Sequence, residues 1–99
     1  MPSPVKFMIV PNVNCYYQHR YGGLYIVSDI AKSSVDGSKW VVYNHVYPFQ
    51  YETIIRPYDE WCDGRFRQLN PGEYEEIINL KDRAKFQDEI RAAKAAKDK

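Results

Sequence analysis

The run Tyr16-Tyr17-Gln18-His19-Arg20-Tyr21-Gly22-Gly23-Leu24-Tyr25 limits the fold more than any other part of the chain. Two adjacent glycines allow a bend through backbone conformations closed to other residues, and the aromatic residues on either side favour extended structure. Strand, bend and second strand is the predicted order. The same ten residues hold four tyrosines, a histidine and an arginine, so a folding nucleus and a candidate binding surface begin at one place.

Outward from that bend, the pattern is β-rich. Residues 6–10, fenced by Pro4 and Pro11, read as an edge strand, where a missing backbone donor costs little. Asn12-Val13-Asn14 is a turn, residues 24–31 are the longest strand, and Asp36-Gly37 marks a tight hairpin. Residues 40–47 return and stop at Pro48; residues 50–56 form a third strand and stop at Pro57. With Asp36-Gly37 and Pro48-Phe49 as two-residue loops, Ile26, Ser28, Tyr43, His45, Glu52 and Arg56 share one face. Val27, Ala31, Trp40, Val42, Val46, Thr53 and Ile55 then make the other, drier face. Residues 58–64 are a helical turn ending on a glycine, and residues 65–69 a short last strand.

At Asn70-Pro71-Gly72-Glu73 the pattern changes to helix, with a capping residue, a proline in the first turn and a glutamate three residues on. Tyr74, Ile77, Ile78, Leu80 and Ala84 form an apolar stripe, and Phe86, Ile90 and Ala93 resume it out of phase, which predicts one kinked helix or two. The expected class is mainly β within α+β: a small barrel-like domain over residues 1–69 and a helical extension over residues 70–99.

Length and charge narrow the function. Ninety-nine residues suit a single modest core, and a net charge of +1 with no basic stripe argues against duplex DNA as partner. No secretory leader and no membrane-length apolar run is evident, so the expectation is a cytoplasmic protein with Cys15 and Cys62 as reduced thiols.

Tyr17, His19, Gly22, Gly23 and Tyr25, then Val41-Val42-Tyr43, Ile55-Arg56-Pro57 and Gly64-Arg65-Phe66, make up a pattern that resembles a small bacterial and phage domain-of-unknown-function family. Its members show a Tyr-x-His-x-x-Gly-Gly-x-Tyr opening, a Val-Val-Tyr strand and an Arg-Pro element in that order, matched here over roughly residues 15–69. The resemblance implies a strongly curved, SH3-like barrel with no assigned enzymatic activity. It places Tyr17, His19, Tyr25, Tyr43 and Arg56 on motif positions.

Rings that stack on a planar group, beside an arginine that pairs with phosphate or carboxylate, are what a nucleotide-like ligand needs. The competing structural reading is that the tyrosines are half-buried barrel residues and Arg56 pairs with Glu52, Asp59 or Glu60. The expected site is Tyr17, Tyr25, Tyr43 and Trp61 for stacking, Arg56 and Arg65 for the anion, and His19 as a pH-sensitive hydrogen bond. The expected function is non-catalytic binding of a small anionic planar ligand, such as a nucleotide-derived signal that a phage or bacterial protein sequesters. The first alternative is a module binding a peptide or host protein through the same face; the second is a single-stranded nucleic-acid binder.

No metal or cofactor is expected. Cys15, His19, His45 and Cys62 lack paired ligand spacing, and a strand from Cys15 to His19 would separate its ends by about 13 Å. Cys62 with a histidine lacks an accompanying nucleophile motif, and Asp59, Glu60 and Asp63 read as a cap and solvated charges. The stripe from Phe86 to Ala93 makes a homo-oligomer through the C-terminal helix a further expectation.

Overall fold

The bend forms where the tyrosine run predicts it. A computed structural model describes residues 11–97, with Lys97 as backbone alone. Strand β1 (Tyr16–His19) turns at Gly22 into β2 (Leu24–Lys32), followed by β3 (Lys39–Tyr47) and β4 (Glu52–Pro57). A helical turn, α1 (Tyr58–Trp61), leads to β5 (Phe66–Gln68), and two helices, α2 (Glu73–Leu80) and α3 (Arg83–Lys97), complete the chain. The edge strand expected at residues 6–10 lies outside the described residues.

All pairings are antiparallel, in the order β4-β3-β2-β1-β5. Among the described residues the sheet is open: β4 and β5 are its edges and no pairing joins them. It nevertheless curls enough for the edges to meet through side chains, with the Arg56 guanidinium of β4 5.5 Å from the centre of the Phe66 ring of β5.

The β3–β4 register is the expected one, His45 opposite Glu52 and Trp40 opposite Pro57. The β2–β3 register differs in two ways. Ser33 N–H donates to the Ser38 carbonyl and Gly37 N–H to the Ser33 carbonyl, so the loop has four residues rather than two, with Gly37 at φ 74°. That shifts the pairing by two and preserves the faces. The second change is an irregularity between Val27 and Asp29, whose partners Tyr43 and Val42 are adjacent; the extra residue, Ser28, carries Val27 and Tyr25 onto the face of Tyr43. The dry face is therefore Val27, Val41 and Tyr43, whereas Ile55, expected on it, is 59% exposed.

Against that face α1 sets Trp61, which is fully buried and stacks on Phe66 at 3.8 Å, with Tyr43 at 4.8 Å and Tyr17 at 5.2 Å packed edge-on. Edge-to-face and offset-stacked rings are the favoured aromatic geometries, and together these rings make the core. The opposite face is covered in part by α2, where Tyr74 stacks on Tyr16 at 4.0 Å. Arg67 ties that corner down by bonding both Gln18 and Glu73.

The phase change in the helical region is a true break. Lys81 is extended, Asp82 then accepts from the backbone N–H groups of Lys85 and Phe86, and α3 starts afresh. The expected capping box is half formed: the Glu73 carboxylate accepts the Asn70 N–H, but Pro71 and Gly72 make a turn before the helix. Helix α3 packs across the Gly22 bend through Phe86 and Ile90, 3% and 2% exposed. Gly22 is required twice, for its φ of 119° and because a Cβ there would lie 2.9 Å from the Phe86 ring.

A candidate anion-binding cleft

The residues singled out from the sequence divide between core and cleft. Tyr17, Tyr43 and Trp61, expected to offer stacking faces, are at most 2% exposed and their rings are spent on one another and on Phe66. This corrects the sequence reading: a small chain puts its largest rings into its one core. The Tyr17 hydroxyl donates to the Gln68 side chain and accepts from the Asn12 N–H, and the Tyr43 hydroxyl accepts from Arg56 Nε at 3.2 Å. The Trp61 indole N–H is buried without a hydrogen-bond partner among the described residues.

The other four residues, His19, Tyr25, Arg56 and Arg65, come together along an open cleft of about 240 Å³. Arg20, Tyr21 and Lys94 join them. The antiparallel ladder does the positioning: His19 of β1 lies opposite Phe66 of β5, which holds Arg65 beside it, and the Arg20 N–H bonds the Arg65 carbonyl. Lys94 arrives from α3. It follows Phe86 and Ile90 at four-residue intervals and so continues their inward stripe over the sheet.

Four cationic side chains thus surround one cleft, and their acidic partners do not match them. Asp63 grips Arg65 with both carboxylate oxygens, at 2.7 to 3.1 Å, and its carboxyl is held below the usual carboxylate range chiefly by that bond. Glu60 meets Arg56 loosely at 3.5 Å. Among the described residues neither Arg20 nor Lys94 has an ion-pair partner. The Tyr21 hydroxyl is buried with no hydrogen-bond partner among the described residues, a state that costs on the order of 1–3 kcal/mol.

His19 registers this environment. Burial, then the charges of Arg56, Arg20, Arg65 and Lys94, lower its pKa to about 4. The ring is therefore neutral at physiological pH, and the expected pH-sensitive hydrogen bond near neutrality is replaced by a fixed one. Its Nδ1 accepts the Tyr21 N–H at 3.1 Å, which leaves the proton on Nε2. His45 behaves alike: burial, then Lys94 and Arg83, bring it to about 4, and Nε2 accepts the Phe49 N–H at 3.0 Å. Burial and the nearby Asp59 and Asp63 push the Cys62 thiol up, away from thiolate chemistry.

No group of three or more His, Cys, Asp or Glu side chains converges as a metal site among the described residues. No described helix is long and apolar enough to cross a membrane. Arg20, Tyr21 and Lys94, besides Phe66, are the cleft residues absent from the expected site set. Two stood inside the tyrosine run, and the four-residue spacing from Ile90 was the signal for the third. No protein-family model matches the chain, and neither a curated protein nor a solved structure does.

Proposed function

We propose that the chain is a non-catalytic binding protein of phage or bacterial origin, acting in the cytoplasm, that holds a small anionic planar ligand of nucleotide type in this cleft. One observation carries the reading: four cations converge on a cleft whose own acids neutralise only two of them. Positive charge focused in a cleft attracts phosphate, and among the described residues Arg20 and Lys94 have no ion-pair partner to compete with it. Arg56 and Arg65 flank the anion, already oriented by Glu60 and Asp63. The neutral His19 offers its Nε2–H and Tyr21 a hydroxyl in need of a partner. Tyr25, half-buried and packed edge-on against Tyr43, His45 and Phe66, is the one expected stacking residue that still lines the cleft. Holding without turnover would suit a protein that sequesters a signal.

The finer fold reading belongs with this one. The contact of Arg56 with Phe66 across the curl supports an SH3-like curvature, in which the cleft is the concave side. A second reading, docking of an extended peptide, draws on the β4 edge, where Ile55 is 59% exposed, and on Tyr51 just before the strand, 65% exposed. Phe86 and Ile90, which raised the expectation of a homo-oligomer through α3, are buried within the chain against the Gly22 bend.

Native mass spectrometry of protein purified gently from the cells that make it tests the proposal. A mass excess lost on denaturation and absorbing near 260 nm supports it. A stoichiometric protein partner with no small molecule favours peptide docking instead.

A further inference from the structure

The cationic cleft does not end at Tyr25. That residue and Lys94 also line an adjoining compartment of about 370 Å³, completed by Gly23, His45, Phe49, Gln50, Glu52, Ile54, Ile90 and Arg91. The larger compartment falls in the range of roughly 300–1,000 Å³ in which small ligands are held. Its chemistry differs from its neighbour's. Aromatic and aliphatic groups line it: Tyr25 and His45 meet edge-on at 4.7 Å, and Phe49 follows His45 at 5.5 Å. Gly23 helps to keep the space open, for a Cβ there would come within 3.2 Å of both Tyr25 and His45.

Among the described residues Glu52, itself exposed, is the sole carboxylate lining this compartment. It forms no ion pair among the described residues, although Arg91 and Lys94 line the same space. A carboxylate accepts and cannot donate, and it accepts best from two adjacent N–H groups at once. Gln50 beside it can donate and accept.

We propose that this compartment is a ring subsite continuous with the anion cleft, and that Glu52 makes it select a planar ring whose edge offers two adjacent N–H donors. The ligand class is then a guanine-type nucleotide, its phosphate among Arg20, Arg56, Arg65 and Lys94 and its base in the compartment lined by Tyr25, Phe49 and Glu52. An adenine edge presents an acceptor where guanine presents N1–H, and it would set that lone pair against the carboxylate. The inference rests on the anion-binding reading above and adds to it the identity of the ring.

The test is a titration of the whole protein by calorimetry with inorganic pyrophosphate, GMP, IMP and AMP. Affinity is expected to fall in the order GMP, IMP, AMP, with GMP at least about tenfold tighter than AMP, the scale of one good bidentate contact. In Glu52→Gln the ratio of GMP to AMP affinity is expected to collapse towards one. The ratio is insensitive to the general gain in anion affinity that loss of a carboxylate brings. Equal binding of the three monophosphates, or a ratio that survives Glu52→Gln, overturns the ring assignment and leaves the anion cleft standing. Binding of neither pyrophosphate nor any monophosphate overturns both.

Discussion

Tyr17 and His19 stand two residues apart on one strand and point to the same face, yet one belongs to the core and the other to the cleft. Tyr17 lies beneath α1, where Trp61 meets it at 5.2 Å. His19 lies just past the edge of that cover, against Phe66 at 4.9 Å and within reach of four cations. The helical turn after Pro57 draws the line between them. Aromatic residues clustered in sequence are claimed first by the core, because a chain of this size has few other large rings to bury. What remains for a ligand is the rim, built from charged and half-buried side chains.

The comparison breaks most visibly at Trp61. Trp61→Ala removes the centre of the ring cluster and is expected to cost about 3–5 kcal/mol in urea unfolding, enough to unfold many small domains. Arg20→Ala, at the rim, is expected to stay within about 0.5 kcal/mol. A Trp61→Ala protein as stable as wild type would show that the rings are not the core.

Acid separates the regions less sharply. His19 and His45 bind protons more weakly folded, at about 4, than unfolded, near 6.5. The unfolded chain therefore holds more protons between those values, and stability present above pH 6.5 is lost as pH falls towards 4. The unfolding free energy from urea titration should drop across that window, by about 3 kcal/mol for the buried His45 and less for the more exposed His19. A flat profile from pH 7 to 4 would contradict the burial of both rings. Smaller again, Gly22→Ala forces a side chain into positive φ and against Phe86, and is expected to cost about 1–3 kcal/mol with loss of helical signal from α3.

Much of the architecture was legible because local chemistry and fold agree. The Gly22-Gly23 bend, the β3–β4 register fixed by Pro48, and the break between α2 and α3 all follow from residues at those positions. The Ser28 irregularity was not legible: nothing at Ser28 marks an extra residue, and it alone moves Val27 to the face of Tyr43. The site was half legible for the same reason. Residue types named the chemistry, arginine with aromatics, but which rings face outward depends on where α1 lands. Lys94 lies 75 residues from His19 in the chain, and only the packing of Phe86 and Ile90 brings it there.

The anion cleft itself is tested most directly by titrating inorganic pyrophosphate into wild-type protein and into the Arg20→Ala/Lys94→Ala variant. Wild type is expected to bind, with affinity falling as salt rises, and the double variant to bind at least about tenfold more weakly while its melting temperature stays close to wild type. Absence of binding to wild type, or equal affinity in the two proteins, would contradict the assignment of function to the rim.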